Sequence, residues 1–423
     1  MTKIYFITQG CSANVSDSEI MAGILKKDGF EITDDLIMSD IVIFNTCTVK
    51  GPTESFFKKK LKELRSLKKK IIIAGCIPQS DINLKELEDC SLIGVYQIQN
   101  ISEVVEETLN GNYIRLLAPE NKPKLNLPKI RKNEYIEIVQ VNDGCLGGCT
   151  FCKTKFARGN LYSYDPKEIV RHISSVVKEG IQEIWLTSQD MGAYGLDIDY
   201  NLPKLLNDIV SIPGKFKVRV GMANPDYIVD FLDELIWVMN NEKIFSFLHI
   251  PVQSGSNNVL KKMARKHSVE DYKYVVRRFK DEIPEITIAT DIICGFPNET
   301  ENDFKETINL VKETKPDVIN ISKFWARPGT AAHKMKQLDG KIIKKRSQQL
   351  TKLFEKISKE NNAKWVNKKT EVYITEKVHN SYIGRNSSYK QVIIESDKFL
   401  LGEFNDVEIY DCGLYDLKGK VVE

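Results

Sequence analysis

From Tyr135 to Phe324 the chain alternates apolar, β-branched runs of strand length with stretches of helical period. The runs EYIEIVQV, EIWLTS, FKVRVG, IFSFLHI, TIATDII and DVINISKF are separated by segments such as PKEIVRHISSVVKEG and ENDFKETINLVKET. Right-handed β-α-β crossovers make such strands parallel and gather function on the loops after their C-terminal ends. This alternation predicts a central partial (β/α)6 barrel. The loop after its first strand is NDGCLGGCTFCKTKFARG, which sets Cys145, Cys149 and Cys152 on the barrel's C-terminal rim.

Three thiols in one loop with Gly144, Gly147 and Gly148 exceed what a core needs from cysteine. The glycines let the loop curl and leave backbone N–H groups free to bond sulfur. Three protein ligands suit an iron–sulfur cubane with one open iron, whereas a structural zinc site usually closes with four. The rival readings are a zinc site completed from elsewhere and buried cysteines that share a loop. CxxxCxxC with an aromatic, Phe151, before its last cysteine resembles the signature of the radical S-adenosylmethionine (SAM) superfamily. That resemblance implies a 4Fe-4S cluster on Cys145, Cys149 and Cys152 whose open iron binds SAM. Its reductive cleavage would yield methionine and a 5′-deoxyadenosyl radical.

Before this barrel, KIYFIT, IVIFNT and KIIIAG alternate with helical patterns and predict a parallel α/β domain. Cys11, Cys47 and Cys76 each follow one of those strands by a residue or two, so the shared carboxyl edge of the sheet can bring them together. Read singly, each is a small core residue. Their contexts, QGCSAN, NTCTV and AGCIPQ, resemble those of the methylthiotransferase family, which carries a second 4Fe-4S cluster on three such cysteines. The likeness extends over nearly the whole chain and implies a C-terminal segment like the TRAM RNA-binding domain. Cys90, Cys294 and Cys412 lack such contexts and receive no chemistry.

Polar residues at the other strand ends face the expected site: Ser188, Gln189 and Asp190, then Arg219 and Asn224, Gln253 and Ser254, and Asp291. By resemblance these positions, with Phe151, bind SAM; ordinary loop capping accounts for any one of them alone. His249 fits a satisfied core histidine. Arg327 in FWARPGT fits either a family motif or a buttress of the barrel rim.

The sequence divides into an N-terminal domain at 1–115, a Pro- and Lys-rich linker at 116–134, the barrel core at 135–340, a connecting helix at 341–366 and a small β-barrel at 367–423. Nine cysteines without a secretory signal or membrane-length apolar run indicate a cytoplasmic chain with reduced thiols, not a membrane protein. The net charge of +3 does not argue for nucleic acid by itself. Lysine runs at 58–62, 68–70, 129–132 and 344–346 offer phosphate contacts or solvated faces. The final barrel is slightly acidic, with eight Lys or Arg against ten Asp or Glu from Asn367 onward, yet Tyr382, Arg385 and Tyr389 are candidates for base stacking and phosphate.

The flank KTKFARGNLYSY resembles the archaeal and eukaryotic group that acts on N6-threonylcarbamoyladenosine at position 37 of tRNA, through Lys153, Lys155, Ala157, Arg158 and Gly159. The resemblance implies methylthiolation of C2 of that base. It calls for two 4Fe-4S clusters, SAM, an electron donor such as ferredoxin or flavodoxin, and a monomeric enzyme. Alternatives are isopentenyladenosine tRNA or a ribosomal-protein aspartate as substrate. From another class comes a non-catalytic, metal-containing RNA-binding protein.

Overall fold

The computed structural model describes residues 1–48 and 51–422; Val49 of the NTCTV context lies outside them. The first strands are β1 (Lys3–Thr8), β2 (Glu31–Ile32), β3 (Ile41–Thr46), β4 (Lys70–Gly75), β5 (Ser91–Gly94) and β6 (Arg115–Leu116). They form one parallel sheet in the order β2-β1-β3-β4-β5-β6. Helices Ser12–Lys27 and Ile101–Leu109 cover one face and helix Gly51–Ser66 the other, so IVIFNT is buried throughout. Because β1, β3 and β4 are neighbours, their carboxyl ends lie side by side.

The central unit contains β7 (Ile136–Gln140), a short antiparallel pair of β8 (Asn142–Asp143) and β9 (Tyr162–Ser163), then β10 (Glu183–Thr187), β11 (Lys217–Arg219), β12 (Phe247–His249), β13 (Thr287–Cys294) and β14 (Val318–Lys323). The six expected strands are all present and parallel, in two sheets of order β11-β10-β7 and β12-β13-β14. A parallel bridge, Val218 to Ile244, and a hydrogen bond from the Ala223 N–H to the His249 carbonyl join the sheets. Strand β11 gives out where Gly221 passes so near Leu186 that a Cβ would stand 2.8 Å from its carbonyl oxygen.

Helix Gly340–Ala363 leads to a closed barrel of β15 (Lys369–Val378), β16 (Ser381–Asn386), β17 (Gln391–Glu395), β18 (Phe404–Cys412) and β19 (Leu417–Val421). This barrel docks beside the start of β12, away from the cysteine rim. The Ser246 N–H donates to the Ser387 carbonyl at 2.8 Å, and the Tyr389 ring packs 4.9 Å from Phe245 and 5.0 Å from Phe247. The expectation of base stacking by Tyr382, Arg385 and Tyr389 is therefore corrected. Tyr382 fills the barrel core, Arg385 lies over the Tyr389 ring, and Tyr389 seals the joint between barrel and core.

The linker has no helix and a strand residue only at Leu116, yet it is a strap rather than a loose tether. Lys124 and Leu125 are buried, the Ile130 N–H donates to the Glu19 carbonyl, and Lys129 pairs with Glu19 and Glu137. Gly23 lets the strap cross, since a Cβ there would stand 2.3 Å from the Pro128 backbone. The basic run at 129–132 is thus partly consumed inside the protein. Among the described residues no helix is long and apolar enough to cross a membrane.

Tyr389→Ala removes the ring that joins the two units and is expected to cost on the order of 2–4 kcal/mol. A lower thermal midpoint in differential scanning calorimetry would show it; an unchanged midpoint would contradict this role.

Candidate active site between two cysteine triads

The three N-terminal cysteines follow adjacent strand ends: Cys11 caps helix Ser12–Lys27, Cys47 follows β3, and Cys76 opens the short helix Cys76–Ser80. Neighbouring strands are about 4.8 Å apart, and the thiols of the two outer ends, Cys11 and Cys76, turn inward onto one Asn14 side chain. Asn14 ties the loops together. Its Nδ2 donates to the carbonyls of Gln9 and Thr46, both at 2.9 Å, while its Oδ1 lies 3.9 Å from Cys11 Sγ and 3.8 Å from Cys76 Sγ. Gly10 has φ +112°, and a Cβ there would come within 2.9 Å of the Cys47 side chain. A glycine is required at this approach.

The second triad hangs from the neck formed by β8 and β9. Gly144, at φ +75°, would place a Cβ 1.8 Å from the Asn160 carbonyl oxygen, so the loop entrance admits no side chain. The Gly147 N–H points at Cys145 Sγ at 3.2 Å, and the Thr154 N–H at Cys152 Sγ at 3.4 Å. Phe151 anchors the loop edge-on against Phe296, with ring centroids 6.3 Å apart. The Thr150 N–H donates to the Met263 carbonyl and its own carbonyl accepts from Ala332, which fixes the loop to two neighbouring segments. Burial, with Asp190 nearby, pushes the Cys145 thiol up to about 12. Buried thiolates of this kind form only opposite a positive group such as bound metal. Among the described residues no three Cys, His, Asp or Glu side chains converge closely enough to share a single ion. The backbone N–H groups of Gly147 and Thr154 give the central triad the sulfur-directed donors that an iron–sulfur cluster takes.

One buried guanidinium joins the triads. Arg158, from the flank of the central loop, donates to Asn14 Oδ1 at 2.9 Å, Asp17 Oδ2 at 2.7 Å and Asp143 Oδ1 at 3.1 Å, and is 1% exposed. Lys124 of the strap pairs with the same two aspartates. Beside it, Lys153 pairs with Asp81, just past the Cys76 helix. Two of the flank's basic residues therefore hold the N-terminal unit against the central one.

A cavity of about 410 Å³ opens over the second triad. Of the residues expected to bind SAM, Phe151, Gln189, Asn224 and Gln253 line it. Gln253 is held at φ +69° by backbone hydrogen bonds to Asp291 and Ile293 on β13. Asp190 stands behind the wall: its carboxylate accepts from the Asn224 N–H at 3.0 Å and Asn224 Nδ2 at 2.6 Å, and burial raises it to about 6. Ser188 accepts from the Asp190 N–H, and buried Ser254 faces Thr307. Asp291 accepts from Asn320 and lies 3.3 Å from His249 on the strands below. Arg219 is stacked among Trp185, Phe247 and Tyr389, outside the cavity lining.

Sequence reasoning missed Arg265, which donates to Cys149 Sγ at 3.5 Å and to Asn224 Oδ1, and Met222 and Thr330, which complete the wall. ARKHS reads as a basic surface run, and nothing local in it reports a partner more than a hundred residues upstream.

Arg158→Met strands two buried carboxylates and is expected to destabilise the chain by about 3–5 kcal/mol, read as a lower midpoint of thermal unfolding. The Asp17 carboxyl carries a pH signature. Burial alone would raise it, but Arg158 and Lys124 hold it below its ordinary 3.8. Its contribution is complete above that ordinary value and is lost as pH falls through the lower folded value. Thermal midpoints measured from pH 6 down to pH 3 should fall, and Asp17→Asn should flatten the fall; equal slopes in both proteins would contradict the pairing.

Comparisons with known proteins give a family for each of the two larger units. The family described as the Radical SAM superfamily matches residues 139–311, and one described as Uncharacterized protein family UPF0004 matches residues 3–92. The threonylcarbamoyladenosine tRNA methylthiotransferase of Homo sapiens is 44% identical over 430 residues, spanning 99% of this chain and 74% of that protein. The probable threonylcarbamoyladenosine tRNA methylthiotransferase of Pyrococcus abyssi (strain GE5 / Orsay) is 40% identical over 427 residues, spanning 100% of both. In fold, the chain is similar to the radical S-adenosylmethionine methyltransferase TsrM from Kitasatospora setae, solved with cobalamin and a [4Fe-4S] cluster bound. The two are 14% identical with a TM-score of 0.57, over 78% of this chain and 77% of that one. A parallel sheet with three cysteines at one edge, a radical SAM core and relatives 40% and 44% identical, matched over 100% and 74% of their own lengths, place this chain in the radical SAM methylthiotransferase family, within the archaeal and eukaryotic threonylcarbamoyladenosine tRNA methylthiotransferase group.

Proposed function

We propose that this chain is a tRNA methylthiotransferase that places a methylthio group on C2 of N6-threonylcarbamoyladenosine at position 37. The observation that carries the reading is the pair of cysteine triads on adjoining rims, tied together through Arg158 and Asn14. Cys145, Cys149 and Cys152 hold one 4Fe-4S cluster, with SAM on its open iron, and Cys11, Cys47 and Cys76 hold a second. When bound, these groups supply the one-electron chemistry that an unactivated aromatic C–H requires and the sulfur that replaces its hydrogen.

The protein's own groups bind and orient. Gln189, Asn224 and Gln253 offer amide donors and acceptors to the polar ends of SAM, with Asn224 fixed between Asp190 and Arg265. The backbone N–H groups of Gly147 and Thr154, with the Arg265 guanidinium, point at the sulfurs of the central triad as donors. Phe151 and Phe296 close the apolar side of the loop.

Isopentenyladenosine and ribosomal-protein substrates are disfavoured by the relatives' names, and a non-catalytic metal protein by the radical SAM core. This reading takes the units as 1–115, 135–340 and 367–423, acting in a cytoplasmic monomer. A ferredoxin or flavodoxin would supply the electrons.

The test is anaerobic reconstitution with iron and sulfide, followed by turnover on tRNA carrying the threonylcarbamoyl base and mass spectrometry of its nucleosides. The expected product is the 2-methylthio derivative. Joint replacement of Cys145, Cys149 and Cys152 by Ala should abolish SAM cleavage, whereas joint replacement of Cys11, Cys47 and Cys76 should leave cleavage but no sulfur transfer. Product formation without the N-terminal cysteines would contradict the assignment.

A further inference from the structure

Arg327 occupies a position that the account so far leaves unused. It follows β14 in a turn closed by the Thr330 N–H and Oγ1, which bond the Arg327 carbonyl at 3.2 and 2.8 Å. The same turn is fastened to the central cysteine loop, because Ala332 donates to the Thr150 carbonyl at 2.9 Å. Burial holds its half-buried guanidinium below the ordinary arginine value, opposed by the neighbouring Cys152 of one triad, Cys47 of the other, and Glu54. Among the described residues it makes no hydrogen bond and no ion pair. An arginine in such a place usually serves a bidentate acceptor.

The other cations nearby are differently placed. Arg265 is committed to Cys149, Asn224 and Asp226. Lys155 is exposed on the cavity wall and has no ion pair among the described residues. Phe156 and Gly329 approach one another across the same cavity, so Lys155 and the Arg327 turn flank one opening.

If the function proposed above holds, the base must enter between the triads so that C2 meets both. In adenine the N6 substituent leaves the ring edge that also carries C2, with only N1 between the two carbons. A threonylcarbamoyl group on N6 thus brings its carboxylate into the space beside the reacting carbon, whereas backbone phosphates stay with the sugars outside. We propose that Arg327, assisted by Lys155, binds the carboxylate of the threonylcarbamoyl group and makes it a condition of productive entry. Arg327 is thus a specificity-determining residue, set where the two cysteine triads meet.

The experiment compares the anaerobically reconstituted full chain with its R327M, R327K and K155M variants, each checked for iron content. Binding is measured by fluorescence anisotropy at fixed salt on one anticodon stem-loop in three forms: threonylcarbamoyl-A37, its neutral methyl ester, and unmodified A37. Wild type should prefer the free carboxylate over the ester, and R327M should lose about 10- to 100-fold of that preference. R327K should restore part of it, and K155M should lose a smaller share. A preference unchanged within about twofold in R327M, or an equal loss on all three RNAs, overturns the proposal, the latter because it reports a phosphate contact or a structural role. If R327M does not load iron, R327K and K155M decide by the same ratio. Absence of 2-methylthio product from wild type on the threonylcarbamoyl stem-loop would instead reject the substrate reading itself.

Discussion

A single buried guanidinium holds the functional geometry together. Arg158 reaches from the central cysteine loop into the N-terminal unit and satisfies Asn14, Asp17 and Asp143 at once. Asn14 in turn fixes the loops of Cys11, Cys47 and Cys76, so one charge-assisted network positions both triads. Lys124 balances the second aspartate, leaving two cations against two carboxylates in a dry setting. Removing any one of the four charged members leaves a buried charge uncompensated, which ties the relative placement of the triads to the whole network.

The rest of the chain is arranged around that junction. The parallel sheet brings three strand ends to one edge, and the half-barrel brings its first loop against that edge. The strap lies across helix Ser12–Lys27 and inserts Lys124 between the units. At the far side, the C-terminal barrel seals the start of β12 through Tyr389, so Tyr382 and Tyr389 are both spent on packing.

The parts of this arrangement that depend on local pattern could be read from the residues. The strand and helix alternation, the rim position of CLGGCTFC and the common edge for Cys11, Cys47 and Cys76 all follow from periodicity and the rules of parallel sheets. The parts set by distant partners were hidden. KTKFARG reads as a basic, substrate-facing flank, yet Arg158 and Lys153 are turned inward, because their acidic partners Asp17 and Asp81 lie far upstream in sequence. Arg265 and Arg327 likewise acquire meaning only when the fold sets them beside the cysteines. Tyr382 and Tyr389 looked like stacking surfaces because an exposed aromatic and a buried one share the same alternating pattern in a small barrel.

The central claim is that the two triads face a common gap and carry two clusters close enough to act on one carbon. Electron paramagnetic resonance of the fully reduced, reconstituted chain tests it directly. Two clusters across one gap should give a spectrum broadened by magnetic coupling, which collapses to a simple single-cluster signal when Cys11, Cys47 and Cys76 are replaced by Ala. A wild-type spectrum identical in shape and intensity to that of the variant would contradict the account.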